Sequence, residues 1–325
     1  MNLAFTTYTA RRLVQAAPLI LTVIVINFVL IHAVPGDPVD VLLGGMDADP
    51  AFQDEIRREL GLDQTLPVQL WTYVSNVLNF DLGYSIRFRQ DVLDLILSRL
   101  PASLLLMGTS FVLSSSFGIL LGVTAAYRGG GHFDRTVTFI ALSGYSMPVF
   151  WLGQLMLLVF AVSLGWFPIQ GMESLRASSS GFEHAIDVGR HLVLPALTFS
   201  VYQLTMIYRL TRVKMRESLE QEFVKAARAR GQSELGVVFR HALPNAMLSV
   251  VTVMGLYAGH MLAGSVLTET VFAWPGMGRL MFEAIGARDY PLLLGLFTCI
   301  SVAVILANVV TDIIYALIDP RVVYS

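Results

Sequence analysis

Six apolar runs, each near the length that crosses a lipid bilayer as a helix, recur along the chain. They are residues 13–34, 102–127, 136–164, 192–208, 247–267 and 292–317. A spanning helix needs about 20 mostly apolar residues, and 192–208 is the shortest of the six. Charged residues make up only 14% of the 325 residues, against about 25% in an average soluble domain. The sequence therefore predicts an all-α polytopic membrane protein with six transmembrane helices.

The distribution of lysine and arginine predicts the orientation, because these residues accumulate in short cytoplasmic connections. With the N-terminus in the cytoplasm, the inner segments contain Arg11, Arg12, Arg128, Arg135, eight basic residues between 209 and 240, and Arg321. The outer segment 35–100 has five arginines against eleven acidic residues. Both termini are therefore predicted to be cytoplasmic.

Three parts follow from this layout: 1–34 with the first helix, the extracytoplasmic segment 35–100, and the remaining five helices in 101–325. The first apolar run is longer than the core of a signal peptide and has no A-x-A cleavage site, so we expect it to be retained. Segment 35–100 is expected to hold a short helix at 50–60, capped by Asp49. This segment fits a small packed cap, a docking surface for a soluble partner, or both.

Segment 268–291 mixes aromatic residues with Trp274-Pro275-Gly276 and Gly278. Glycine and proline would break a spanning helix here, and irregular backbone at membrane depth must be sheltered by protein or water. The sequence predicts a re-entrant or surface-lying hairpin.

Motifs for chemistry are missing from the sequence: it has no G-x-x-x-x-G-K-[ST], no H-E-x-x-H and no G-x-S-x-G. The single cysteine, Cys299, cannot form a disulfide within the chain or a multi-cysteine metal site. We expect neither catalytic nor metal-ligating residues. Polar groups within or near the spans are candidates for a translocation pathway, namely Tyr202, Gln203, His260 and Glu269.

Residues 222–244 form a polar, basic stretch that interrupts the apolar pattern. Apolar positions at helical spacing predict two short amphipathic helices, with stripes at Phe223, Ala226, Ala227 and Arg230 and at Leu235, Val238, Phe239 and Ala242. Gly231 suits the left-handed residue that ends the first helix, and Ser233 suits the N-cap of the second. Pro244 is expected to limit the second helix.

The residues alone leave open whether this hairpin binds another protein or lies on anionic lipid. Glu222 and Glu234 are interleaved with its basic residues, so nucleic-acid binding is not predicted.

The spacing of this stretch resembles the EAA loop of ABC importer permeases. Ala226-Ala227 is followed by three residues, Gly231, nine residues and then His241-Ala242-Leu243-Pro244. The family pattern has glutamate where this chain has Lys225 and isoleucine where it has His241. The form FVKAARARG is similar to the loop of the peptide-type branch.

Other segments are similar to the B-type permeases of dipeptide, oligopeptide, nickel and glutathione importers, in the same order along the chain. They are HAVPGDP (32–38), LGLDQTLPVQ (60–69), DLGYS (81–85), ALSGYSMPVFWLG (141–153), LTETVFAWPGMGR (267–279), RDYPL (288–292) and DPR (319–321). Together with the loop, they extend the resemblance over nearly the whole chain.

The resemblance implies the fold of a type I ABC importer permease in the bacterial cytoplasmic (inner) membrane. It implies a non-enzymatic subunit that pairs with a C-type permease, two cytoplasmic ATPases and an extracytoplasmic binding protein. ATP and Mg would bind to the ATPases, with no cofactor on this chain. The implied coupling loop, at about 213–246, would contact an ATPase through Lys225, Ala226, Ala227, Gly231, His241, Leu243 and Pro244.

Peptides are the substrates that the resemblance favours, with nickel chelates, glutathione or haem as alternatives on the same architecture. Two other classes stay open on the residues alone: an ion-coupled transporter or channel that acts by itself, and a scaffold without a transport role. The missing P-loop favours a transporter with a separate ATPase.

Overall fold

The structure, a computed structural model, describes residues 2–33, 39, 49–59, 61–174 and 181–318. Its elements are α1 Asn2–Ala33, α2 Pro50–Glu59, α3 Leu66–Leu78, β1 Tyr84–Ser85, β2 Gln90–Asp91, α4 Val92–Tyr127, α5 His132–Ser146, α6 Val149–Met156, α7 Phe182–Leu219, α8 Glu222–Ala229, α9 Glu234–Gly236, α10 Leu243–Gly264, α11 Val266–Val271, α12 Met277–Ala287 and α13 Tyr290–Ile318. A π-helical turn, Leu157–Ser163, continues α6, and another, Val237–Ala242, joins α9 to α10.

Four stretches of helix in the described part of the chain are long and apolar enough to cross a membrane. They are Phe5–Leu30, Val92–Tyr127, Glu234–Gly259 and Tyr290–Ile313, with mean hydropathies between 1.4 and 2.5. These stretches contain or overlap the predicted runs 13–34, 102–127, 247–267 and 292–317. The prediction that those four runs form helices long and apolar enough to cross a membrane is confirmed.

The third run, 136–164, is bent rather than straight. α5 and the helix that begins at Val149 meet at an angle of 108°, and the pair counts as a fifth span only if it is taken as one broken crossing. The break falls at Met147-Pro148, where Met147 has extended backbone angles. Proline disfavours the helical conformation of the residue before it, which accounts for the bend at this point.

The fourth run, 192–208, lies within α7, which is not among the helices apolar enough to be counted as spans. Polar side chains such as Thr198, Gln203 and Thr205 reduce its hydropathy, and all three are buried. Protein surrounds this face of α7, so its polarity does not have to be compatible with lipid.

Glycines allow α4 and α7 to pack closely. A Cβ added at Gly118 would lie 2.9 Å from the Cβ of Ile207, and one at Gly122 would lie 2.9 Å from the carbonyl oxygen of Tyr208. Small residues at four-residue spacing let membrane helices approach in this way. α4 and α7 are therefore in close contact through this glycine face.

Within segment 35–100, the predicted helix at 50–60 is confirmed as α2, and the backbone N–H of Ala51 donates to the Asp49 side chain (3.1 Å). The segment also contains α3 and the β1–β2 hairpin, which the sequence did not predict. The hairpin is tied to the far end of the chain, because Ser85 donates a hydrogen bond of 2.6 Å to the buried Asp289.

Segment 268–291 forms a helical hairpin from α11 and α12 that is packed into the protein. Trp274 is fully buried, and its indole N–H donates to the carbonyl of Ala102 on α4 (2.8 Å). The alternative prediction of a hairpin that lies only on the surface is therefore wrong. Protein shelters the irregular backbone, as expected for such backbone at membrane depth.

Gly276 is a tight contact in this hairpin, so Gly276→Ala is expected to destabilise the protein. Its added Cβ would collide with the carboxyl of Glu269 and lie 2.5 Å from Ser103 Oγ, and both groups are held by hydrogen bonds. Overpacking of this kind costs about 1–3 kcal/mol. Thermal unfolding of the purified chain measures this loss of stability.

The matched control is Gly286→Ala in the same hairpin, where an added Cβ would meet nothing within 4 Å. Alanine favours the helix interior over glycine by up to about 1 kcal/mol, so this variant should be neutral or more stable. Equal unfolding temperatures for the two variants would contradict the packing described here.

Candidate coupling loop and membrane cavity

The 222–244 loop has a helix–glycine–helix form. α8 ends at Ala229, and Gly231 has a φ of +76°, in the left-handed region that glycine adopts without strain. Ser233 caps the next helix by accepting a hydrogen bond from the N–H of Gly236 (3.3 Å). The predicted conformations of Gly231 and Ser233 are therefore confirmed.

One face of the loop is anchored on the chain's own core. Val224 and Ala227 on α8 are fully buried. They share an apolar cluster with residues from α4, α7 and the second half of the loop, namely Val123, Ala126, Met215, Val237, Val238, Ala242 and Ala246. Burial of this kind contributes roughly 25 cal/mol for each Å² of apolar surface, so the two helices are held at a fixed angle.

The opposite face exposes apolar side chains. Phe223 is 41% exposed, Leu235 66% and Phe239 55%, and Ala226 is exposed beside them. The predicted stripes are wrong in this respect. They placed these four exposed residues on the same helix faces as Ala227, Val238 and Ala242, which are buried. Both faces of α8 carry apolar residues, and the protein uses the Val224–Ala227 face for its own core.

Charged side chains on the loop pair locally. Lys225 donates to Glu222 (2.8 Å), and Arg228 donates to both carboxylate oxygens of Glu234 (3.1 and 3.2 Å). These side chains are between 41% and 87% exposed, so the pairs contribute little to stability and leave the charges available to a partner. His241 is hydrogen-bonded to Gln232 (2.5 Å), across the turn that contains Gly231.

Pro244 does not end the second helix, contrary to the expectation from sequence. The π-helical turn Val237–Ala242 runs directly into α10, which holds Leu243 and Pro244 in its first turn. Proline is tolerated in a first turn, where its missing N–H and its ring disturb least, and the preceding wide turn gives it room. Ser218 on α7 donates to the carbonyl of Ala242 (2.9 Å) and joins this turn to α7.

A charged cluster behind the loop links α5 to α7. The buried Asp134 accepts hydrogen bonds from Arg212 (2.5 Å) and Arg216 (3.1 Å) on one oxygen and from the Tyr208 hydroxyl (3.1 Å) on the other. Tyr208 is in turn hydrogen-bonded to Thr138 (2.8 Å). Sequence reasoning missed this cluster, although Tyr208, Arg212 and Arg216 recur every four residues on one helix face, which was a usable signal.

A cavity of about 460 Å³ lies between α6, α7 and α10. Its lining is mostly apolar, with a few polar groups: Val149, Phe199, Tyr202, Gln203, Leu256, Tyr257 and Met261. The structure thus brings Tyr202 and Gln203, both pathway candidates, onto one cavity. Tyr202 stacks on Tyr145 with ring centroids 4.5 Å apart and hydroxyls 3.0 Å apart, and Gln203 accepts a hydrogen bond from Ser114 (3.3 Å).

Of the other two pathway candidates, Glu269 lies away from this cavity. The side chain of His260 lies outside the described residues. Glu269 is fully buried in the α11–α12 hairpin, where it accepts hydrogen bonds from the Ser103 hydroxyl (2.7 Å) and the Arg279 N–H (3.0 Å). Burial raises the pKa of the Glu269 carboxyl, and these hydrogen bonds oppose the rise. Its contacts favour a structural role.

Comparison with known proteins places this arrangement in a family. The family described as "Binding-protein-dependent transport system inner membrane component" matches residues 118–324, and its N-terminal companion matches residues 5–107. The MetNI methionine ABC transporter, in an inward-facing conformation, has a chain that matches with a TM-score of 0.55 and 18% identity. That match covers 69% of this chain and 96% of the other, so the two share a fold.

Curated relatives match over nearly the full length. A di/tripeptide transport system permease protein from Pseudomonas aeruginosa is 40% identical, with 97% of this chain and 98% of the relative covered. A glutathione transport system permease protein from Escherichia coli O6:H1 is 39% identical, with 98% and 99% covered. The dipeptide transport system permease protein of Escherichia coli K12 is 36% identical, with 97% and 98% covered.

Apolar helices that line a small, mostly apolar cavity and carry an exposed helix–glycine–helix loop define a membrane permease subunit. The chain belongs to the family of binding-protein-dependent transport system inner membrane components, and it is an ABC transporter permease.

Proposed function

We propose that this chain is a transmembrane subunit of an ATP-driven importer and forms half of the pathway for di- or oligopeptides. The observation that carries the proposal is the 222–244 loop. It is anchored by Val224 and Ala227 on one face and presents Phe223, Ala226 and Leu235 on the other. Exposed apolar residues on a rigid scaffold are typical of a protein interface. We assign an ATPase subunit as the partner.

The complete transporter then contains this chain, a C-type permease, two ATPases and an extracytoplasmic binding protein. ATP and Mg bind to the ATPases, and this chain converts their movement into changes at the cavity. Six crossings with both termini in the cytoplasm complete the proposal, with the bent α5–α6 pair as the third crossing and α7 as the fourth. This topology puts the loop on the ATPase side of the inner membrane.

The role of the coupling residues follows from their positions in the loop. Ala227 anchors it, and Gly231 sets the angle between its two helices. Leu243 and Pro244 join the loop to α10. Lys225 and Ala226 face outward to meet the ATPase, and His241, through Gln232, fixes the turn.

Reconstitution with partner subunits in liposomes tests the proposal. Peptides delivered by the binding protein should stimulate ATP hydrolysis and accumulate inside. Glutathione is the second candidate substrate, because one relative with 39% identity is named for it, and nickel chelates and haem complete the panel. Uptake by this chain alone, driven by a proton or sodium gradient, would overturn the proposal in favour of an ion-coupled transporter.

Leu235→Ala is expected to weaken binding of the ATPase about 5- to 30-fold. Leu235 is 66% exposed in the free chain, and its burial against a partner is worth about 1–2 kcal/mol more than that of alanine, with 1.4 kcal/mol for each tenfold change in affinity. The measurement is a titration of ATPase onto the permease in nanodiscs. Leu66→Ala, at a similarly exposed leucine (59%) on α3, is the control and should bind as the parent does.

A further inference from the structure

The α3 helix, Leu66–Leu78, carries no charged residue and has three distinct sides. At 100° per residue, one side turns towards the protein, with Leu70, Tyr73, Val74 and Val77 partly or fully buried. A second side is mostly apolar and exposed, and it holds Pro67, Val68, Trp71 and Leu78, with the partly buried Ser75 among them. The third side is polar and exposed, with Thr72 and Asn76. An apolar flank beside a polar flank is the pattern of a helix that lies along a membrane surface.

Contacts fix the depth of α3 relative to the apolar bundle. The Tyr73 ring lies 5.9 Å from that of Phe28 on α1. α1 ends at Ala33, so Phe28 is about 7.5 Å along the helix from that end at 1.5 Å per residue. The Tyr73 hydroxyl also lies 3.2 Å from Thr298 Oγ1, and Thr298 is about 12 Å along α13 from Tyr290. α3 is therefore packed against the neighbouring ends of two apolar helices, about 8 Å along α1 and about 12 Å along α13 from those ends.

Apolar side chains of α1 are also exposed next to the residue that α3 contacts. Val29 and Leu30, next to Phe28, are 57% and 60% exposed at the same end of the bundle. Trp71 is 74% exposed and Leu78 is 66% exposed on α3. Tryptophan is enriched where headgroups meet acyl chains, because its ring is apolar and its N–H is polar. α3 has no charged side chain that could orient a soluble partner.

We propose that α3 is a membrane-interface helix, whose Pro67, Val68, Trp71 and Leu78 flank is immersed at the boundary between phospholipid headgroups and acyl chains. It holds the end of α1 and the β1–β2 hairpin that follows α3 close to the membrane surface. The polar flank, with Thr72 and Asn76, stays in water.

Spin labels on the two flanks test this directly. Trp71→Cys and Asn76→Cys are each made in a chain whose only cysteine is removed by Cys299→Ser. Each chain is assembled with the subunits that co-purify with it, labelled with a nitroxide, and placed in phosphatidylethanolamine–phosphatidylglycerol liposomes. Collision with oxygen, which concentrates in the acyl region, is compared with collision with a water-soluble nickel chelate.

The label at position 71 should collide mainly with oxygen, and the label at position 76 mainly with the nickel chelate. Two results would overturn the proposal. Equal nickel collision at both positions would put the Trp71 flank in water. Protection of position 71 from both reagents would show that a protein covers it, either another transmembrane subunit or a docked soluble partner.

Discussion

Ala227→Asp is expected to abolish substrate-stimulated ATP hydrolysis by the assembled transporter. Ala227 is fully buried in the cluster that anchors the loop, and a carboxylate there would lie among Val224, Val237 and Val238. An unpaired buried charge costs about 3–5 kcal/mol. At 1.4 kcal/mol for each factor of ten, about 3 kcal/mol lowers the population of the anchored loop roughly a hundredfold. Ala227 itself lies on α8, outside the long apolar helices, so the chain should still reach the membrane.

The matched control is Ala227→Ser. A serine at this position adds one oxygen, and its hydroxyl can donate to a carbonyl in the preceding helical turn, so it should retain most of the stimulated hydrolysis. The readouts are peptide-stimulated ATPase activity in liposomes and the amount of chain in the membrane. If Ala227→Asp assembles and responds to substrate as the parent does, the loop does not couple ATP hydrolysis to transport.

Much of the fold could be predicted from local sequence. The runs that became α1, α4, α10 and α13 stood out because apolar length is a direct requirement of a bilayer. The bend at Met147-Pro148 and the low hydropathy of α7 were not anticipated as departures from straight apolar spans. The bend has a local cause in Pro148, which was a usable signal. The low hydropathy of α7 depends on packing, because protein surrounds Thr198 and Gln203 and Ser114 donates to Gln203, so the helix is not required to be apolar.

The turns of the candidate loop could be predicted from the sequence, but which helix faces are buried could be predicted less well. Gly231 and Ser233 act through their own backbone and side chain, so composition and position were enough. The orientation of α8 depends on whether its apolar residues meet this chain or another one. Phe223 and Val224 are adjacent and both apolar, and only the tertiary packing shows that Val224 is the buried one.

Asp134→Ala is expected to lower both stability and the response of ATP hydrolysis to substrate. Asp134 joins α5, which leads to the cavity-lining α6, to the α7 turn that precedes the loop, through Arg212 and Arg216. The arginine side chains are 26% and 39% exposed, so solvent screens part of the loss. We expect about 1–3 kcal/mol rather than the 3–5 kcal/mol of a fully buried pair. Thermal unfolding and the ratio of stimulated to basal ATPase activity measure the two effects.

A double-variant comparison separates the ion pair from simple loss of packing. If Asp134 acts by holding Arg212, then Asp134→Ala and Arg212→Ala together should cost less than the sum of the single changes, by about 1 kcal/mol or more. Additive costs would show that the two side chains do not act as a pair. A purely structural role would lower basal and stimulated hydrolysis in proportion to the folded protein, whereas a link between α5 and the loop lowers the stimulated rate more than the basal one. That difference decides whether the Asp134 cluster carries movement from the loop to the cavity.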